Sequence, residues 1–156
     1  MQLLLLAVGK LRPTLREACD DYLRRVQRGI AVTEREVRQA GQGGDSAWQR
    51  DDEGRRILAT LPLGMPMVLL DRIGEGWTSE QLAERLRAWR IAARDRAIVI
   101  GGATGVSPAV RQRADAIWSL GALTLPHELV RVIVVEQLYR ATTILQGQPY
   151  HKGAGA

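Results

Sequence analysis

Four short stretches of this chain are apolar almost without interruption: LLLLAV (residues 3 to 8), MVLLD (67 to 71), AIVIGG (97 to 102) and IWSLGALTL (117 to 125). A strand with one wet face alternates apolar with polar residues, whereas a strand covered on both faces runs apolar throughout. The runs are short for buried helices, so they predict strands of a mostly parallel sheet. A weaker strand is expected near AVTEREV (31 to 37), where charges interrupt the pattern. Helical periodicity fills the intervals. Leu15, Ala18, Tyr22 and Val26 share one face behind Pro13, a residue suited to a first turn. Leu82, Leu86 and Trp89 share another behind Thr78, whose capping-box partner is Gln81. Ser107-Pro108 opens a shorter helix, Pro126 opens the last one, and Gly147 ends it. Strand and helix alternate, which predicts an α/β fold with helices on both faces of the sheet.

A length of 156 residues fits one domain over 1–156, with enough core to need no disulfide or structural metal. GQGGD (41 to 45) reads as a mobile loop, and the closing GAGA (153 to 156) has no side chain to hold it down. Cys19 is the sole cysteine, and the histidines are only His127 and His151, so neither an internal disulfide nor a cysteine–histidine zinc site can be built. No metal is expected. MQLLLLAVGKLRP lacks the basic lead and cleavage site of a signal peptide. Its apolar run is far below the roughly 20 residues that span a bilayer. These features predict a soluble cytoplasmic protein without a membrane partner. The formal charge of +5 permits a polyanionic partner. However, 20 of the 22 basic residues are arginine and phenylalanine is absent, a bias that genome composition alone produces.

In open α/β sheets ligands bind beyond the carboxyl ends of the strands. The loops expected there are DRIGEG (71 to 76), GGATG (101 to 105) and LTLPH (123 to 127). GGATG has neither dinucleotide-fingerprint spacing nor the Lys-Ser/Thr pair of a P-loop, so a nucleotide site of either common kind is excluded. A glycine cluster by itself marks a tight turn. Beside LTLP it can also hold an adenosine-like ligand through main-chain hydrogen bonds and apolar packing.

The last helix, ELVRVIVVEQLYRATTIL (128 to 145), is apolar around most of its circumference. That exceeds what one sheet face needs, which predicts a further cover, most simply the partner helix of a two-fold homodimer with Val134 and Leu138 in the interface. Glu136 and Arg140 stand four apart on it. That spacing gives an ion pair, or a charged pocket in the interface.

IGGATG (100 to 105), WSLGALTLPHELVRVIVVEQLYRA (118 to 141) and QPYHK (148 to 152) resemble the RlmH family, small bacterial SPOUT-class methyltransferases. The likeness extends over essentially the whole chain, including the opening strand ending in AVGK and the YLRR of the first helix. It implies methylation of N3 of a pseudouridine in 23S rRNA on the ribosome, with S-adenosyl-L-methionine as cofactor. It also implies a C-terminal trefoil knot over roughly 67–147, a substrate tail at 148–156 and an obligate homodimer. The cofactor site carries over to Leu70, Gly101, Gly121, Ala122, Leu123, Thr124, Leu125 and Pro126. The chain departs locally from the family at Gly121, often serine, at Ala103-Thr104, often proline and an acid, and at Gly74-Glu75, commonly Gly-Lys.

Methyl transfer from a sulfonium needs in-line positioning and a deprotonated nucleophile. The expected catalytic group is Arg140 supporting anionic character or a phosphate, Glu136 orienting it, and Tyr150 stacking on or orienting the base. His151 takes the proton or binds an RNA phosphate. For His127 a structural hydrogen bond at the helix start is expected. The alternatives are a noncatalytic RNA-binding homodimer and a nucleotide-dependent oxidoreductase.

Overall fold

The structure, a computed structural model, describes residues 1–150. In chain order the elements are β1 (Gln2–Val8), α1 (Pro13–Val26), β2 (Ala31–Val37), α2 (Ser46–Thr60) and β3 (Met67–Gly76). There follow α3 (Ser79–Ile91), β4 (Arg96–Ile100), α4 (Pro108–Arg113), β5 (Ala116–Ser119) and α5 (His127–Leu145). The five strands form one all-parallel sheet in the order β2-β1-β4-β3-β5.

The apolar runs are explained by two cores, one on each face. Because strand side chains alternate between faces, Leu3, Leu5 and Ala7 of β1 join a core with Cys19, Leu82, Val134 and Leu138 of α1, α3 and α5. Leu4, Leu6 and Val8 join the other, with Ile57 of α2 and Val110 of α4. Edge strand β2 needs less apolar cover, which accounts for its charged sequence. The capping box of α3 is formed as its sequence predicts: Gln81 N donates to Thr78 Oγ1 at 3.1 Å, and Thr78 N donates to Gln81 Oε1 at 2.8 Å. Gly147 adopts φ +65° just past α5, the left-handed end expected of it.

Three expectations are corrected. The strand read over 117–125 ends at Ser119, and residues 120 to 126 form a loop. DRIGEG is not a free loop. It continues β3, which pairs with β5 at Val68–Leu70, bulges, and pairs again at Glu75 and Gly76. Gly74 makes this rejoining feasible, since a Cβ there would lie 2.6 Å from the Ile117 carbonyl oxygen. Third, Val134 and Leu138 are fully buried inside the chain itself, where α1 and α3 flank α5. Their apolarity is thus explained without a partner; on α5 Leu129 is exposed, while Ile133, Glu136 and Arg140 are partly buried.

Candidate active site

Three irregular segments meet at one edge of the sheet: the bulge within β3, the turn after β4 and the loop after β5. The β3 bulge carries Asp71, Arg72 and Ile73 outward from the sheet. After β4, the GGATG turn closes on itself through a hydrogen bond from Gly105 N to Gly102 O at 3.1 Å, with Gly105 at φ +89°. After β5, Gly121 turns the chain at φ +115°, and its N–H donates to Ser119 Oγ at 3.1 Å. Between these segments lies a cleft of about 490 Å³, closed on one side by His127 and Val130 at the start of α5.

Of the sequence-predicted cofactor residues, Leu70, Gly101, Gly121, Leu123, Thr124 and Leu125 line this cleft. Ala122 and Pro126 belong to the same loop but are not part of the lining, and Pro126 is the residue from which α5 starts. The cleft suits a ligand with both apolar and hydrogen-bonding parts. Gly101 shapes the cradle of the turn by leaving no room for a side chain, since a Cβ there would lie 2.5 Å from Val106 Cγ1. Trp118 Nε1 and Thr104 Oγ1, on two residues of the lining, are buried polar atoms without a partner among the described residues. A buried donor or acceptor left unmatched is costly, so the protein carries a polar cost at the wall of this cleft. Leu123, 77% exposed in the same loop, offers apolar surface at the rim.

The predicted catalytic residues assemble elsewhere. Arg140 donates from Nε and a terminal guanidinium nitrogen to Glu136 Oε1 at 3.0 and 2.7 Å. Tyr150 donates its hydroxyl to the same oxygen at 3.2 Å. The Arg140 guanidinium lies 4.9 Å from the centre of the Tyr150 ring, which packs against Tyr139 at 4.6 Å. Burial raises the Tyr150 phenol above its usual range, reinforced by a hydrogen bond with Tyr22 and the Glu136 charge. At neutral pH it is a donor and cannot be a base. His151, the proposed proton acceptor, lies outside the described residues. None of Glu136, Arg140 and Tyr150 lines the cleft. Arg140 stands thirteen positions beyond His127 along the helix, about 20 Å of rise at 1.5 Å per residue.

With this geometry in view, the comparisons with known proteins are decisive. The family described as "Predicted SPOUT methyltransferase" matches residues 1–151. The chain belongs to the SPOUT methyltransferase family. It is 41% identical over 155 residues to the ribosomal RNA large subunit methyltransferase H of Laribacter hongkongensis, covering 97% of this chain and 99% of that one. It is 44% identical to the protein of the same name from Methylococcus capsulatus, over 97% and 100% of the two chains. Among solved structures, a probable methyltransferase from Bordetella pertussis has a TM-score of 0.55 at 14% identity, covering 90% of this chain and 95% of that chain. A probable methylase family protein from Haemophilus influenzae has a TM-score of 0.51 at 10% identity, covering 96% and 69%. At those identities the structural likeness speaks for the fold alone.

Several residues of this SPOUT chain escaped sequence reasoning. His127 makes no side-chain hydrogen bond with another described residue, contrary to expectation, and instead lines the cleft. Asp71 and Arg111 meet at the cleft in an ion pair of 2.7 Å. Arg131, 1% exposed, reaches Glu36 at 2.7 Å, Glu34 at 3.1 Å and the Gly9 carbonyl at 2.7 Å, fastening α5 to the ends of β1 and β2. An arginine among the apolar residues of the first half of α5 was the only signal. Among the described residues no group of three or more His, Cys, Asp or Glu could hold a metal ion, and no helix is long and apolar enough to cross a membrane.

Proposed function

We propose that this chain is an S-adenosylmethionine-dependent enzyme that methylates N3 of a pseudouridine in 23S rRNA, acting in the cytoplasm as a homodimer on the ribosome. The observation that carries the reading is the cleft of glycine backbone and aliphatic side chains beyond β3, β4 and β5, with Gly101 at its cradle. It is supported by relatives over 40% identical along nearly their full length that are named ribosomal RNA large subunit methyltransferase H. The chain leaves β4, passes β3 and adds β5 on its far side, an order compatible with the threaded chain proposed over roughly 67–147.

S-adenosylmethionine supplies a methyl group on a sulfonium, so the protein need only hold it and prepare the nucleophile. Leu70, Gly101 and the 121–126 loop hold it. Arg140, oriented by Glu136, stabilises negative charge on the target base or holds an adjoining phosphate. Tyr150, kept protonated, orients the base by its ring and hydroxyl. His151 takes the imide proton or binds RNA phosphate within the 148–156 tail.

The separation of the cleft from the Glu136–Arg140–Tyr150 group favours a site shared between two copies. Between the two sites on α5, Leu129 is exposed and Ile133 partly buried, and Ile133 and Gln137 border a hollow of about 450 Å³ that adjoins the cleft across the 120–125 loop. A two-fold dimer on this face carries the tail of one copy to the cleft of the other. The test mixes an inactive Gly101→Val dimer with an inactive His151→Ala dimer and lets subunits exchange. In a shared arrangement, one of the two sites in a mixed dimer receives both defects and the other neither, so activity reappears. Continued inactivity after proven exchange contradicts the shared site.

A further inference from the structure

The cleft contains a charged corner to which no role has been given. Most of its lining is glycine backbone and aliphatic side chain, but at the β3 bulge and α4 stand Asp71, Arg72 and Arg111. Asp71 is the one carboxylate residue of that lining. Its Oδ1 accepts from Ile73 N at 3.0 Å, which fixes the carboxylate within its own bulge, and its Oδ2 meets an Arg111 guanidinium nitrogen at 2.7 Å. The two side chains differ in freedom: that of Asp71 is 12% exposed and that of Arg111 is 38% exposed. The aspartate is therefore anchored, while the arginine sits at the mouth and can swing.

S-adenosylmethionine has two unlike ends, an adenosine and an α-amino acid. The apolar, backbone-rich part of the cleft suits the first. The second carries an ammonium and a carboxylate on one carbon, the same pair of charges that Arg111 and Asp71 present to each other in opposite sense. We infer that Asp71 and Arg111 form a clamp for this amino-acid end, Asp71 receiving the α-ammonium and Arg111 the α-carboxylate. The planar guanidinium matches a carboxylate through two parallel hydrogen bonds. In the protein alone each partner occupies the place of the ligand's charge, so neither is left buried without a counter-ion. The inference rests on reading the cleft as the S-adenosylmethionine site. If the pair only tied α4 to the β3 bulge, its loss would not depend on which ligand is bound.

That dependence is measurable by calorimetry. Wild type, Arg111→Met and Asp71→Asn are titrated with S-adenosylmethionine and with 5′-methylthioadenosine, which keeps the nucleoside and thioether but lacks the amino acid. Asp71→Asn leaves no unpaired buried charge and should melt close to wild type, whereas Arg111→Met leaves the 12%-exposed Asp71 unpaired and should melt lower while still folding. Asp71→Asn also retains an acceptor for Ile73 N. The clamp predicts that S-adenosylmethionine binds the variants about tenfold or more weakly, the scale of one lost charged hydrogen bond, while 5′-methylthioadenosine binds them as it binds wild type. Equal weakening of both ligands, or undiminished binding of S-adenosylmethionine by the folded Asp71→Asn protein, overturns the clamp and leaves the cleft assignment intact. If wild type binds neither ligand, the cleft assignment fails and the clamp with it.

Discussion

Replacing Gly101 with valine strains Val106 and Gly105, which line the cleft, and through Val106 it also presses on the core behind them. A Cβ at this position lies 2.5 Å from Val106 Cγ1 and 3.2 Å from the Gly105 carbonyl oxygen. The first contact is too close to persist, and Val106, buried and stiff about χ1, must move. Overpacking of this kind costs about 1–3 kcal/mol, against the roughly 5–15 kcal/mol that a domain of ordinary stability has available. The variant should fold, with a lower melting temperature. In the cleft, the displaced Val106 and Gly105 change the shape of the wall that a ligand would touch. Each 1.4 kcal/mol of lost contact is about tenfold in affinity, so calorimetry should show S-adenosylmethionine weakened by about tenfold to a hundredfold. Gly121→Ala is the companion variant: nothing lies within 4 Å of its Cβ, but φ +115° strains any side chain there. It should weaken binding through the 120–126 loop, not through the wall formed by Val106 and Gly105. A folded Gly101→Val protein with unchanged affinity refutes the assignment of the cleft.

Three further outcomes are expected. Arg131→Met should destabilise the protein by about 2–4 kcal/mol in urea unfolding, at or below the cost of breaking a buried pair, because Glu34 keeps Arg16 at 2.8 Å while the Gly9 carbonyl loses its donor; a loss under about 1 kcal/mol would show that the network contributes little. Ile133→Asp, at a partly buried position of α5, should leave the monomer fold intact but halve the mass seen by light scattering and abolish methylation, whereas an active dimer would place the interface elsewhere. The Cys19 thiol, fully buried, is pushed up to about 11 by burial first and by the Glu34 charge second, so alkylation near pH 8 should proceed only as fast as the protein unfolds. Rapid labelling of the native protein would contradict that environment.

The parts of the fold legible in the sequence are those where local and global physics agree. Doubly covered strands run apolar, and Thr78 with Gln81 or Pro13 at a first turn announces a helix wherever it packs. What was not legible was set by tertiary contacts. Helix α2 buries little beyond Glu53, Gly54 and Ile57, too narrow a stripe to read as periodicity. Leu120, Leu123 and Leu125 looked like strand because they are aliphatic, yet they lie in the loop that lines the cleft. The apolar excess of α5 was visible, but its cover by α1 and α3 depends on a packing that spacing does not encode. The site was half legible. Glu136 and Arg140 stand at ion-pair spacing, and the loops after the strands mark the cleft. Asp71, Arg111 and Arg131 acquire meaning only when distant segments meet.

The central claim is methylation of 23S rRNA through this cleft, and one assay addresses it directly. Large ribosomal subunits from a strain lacking the gene are incubated with the purified protein and S-adenosylmethionine carrying a deuterated methyl group, and the rRNA is digested and analysed by mass spectrometry. The account predicts one deuterated methyl on N3 of a single pseudouridine in 23S rRNA, present with wild type and absent with Gly101→Val. Unmodified rRNA with the folded wild-type protein, or a label that persists undiminished with Gly101→Val, would contradict it.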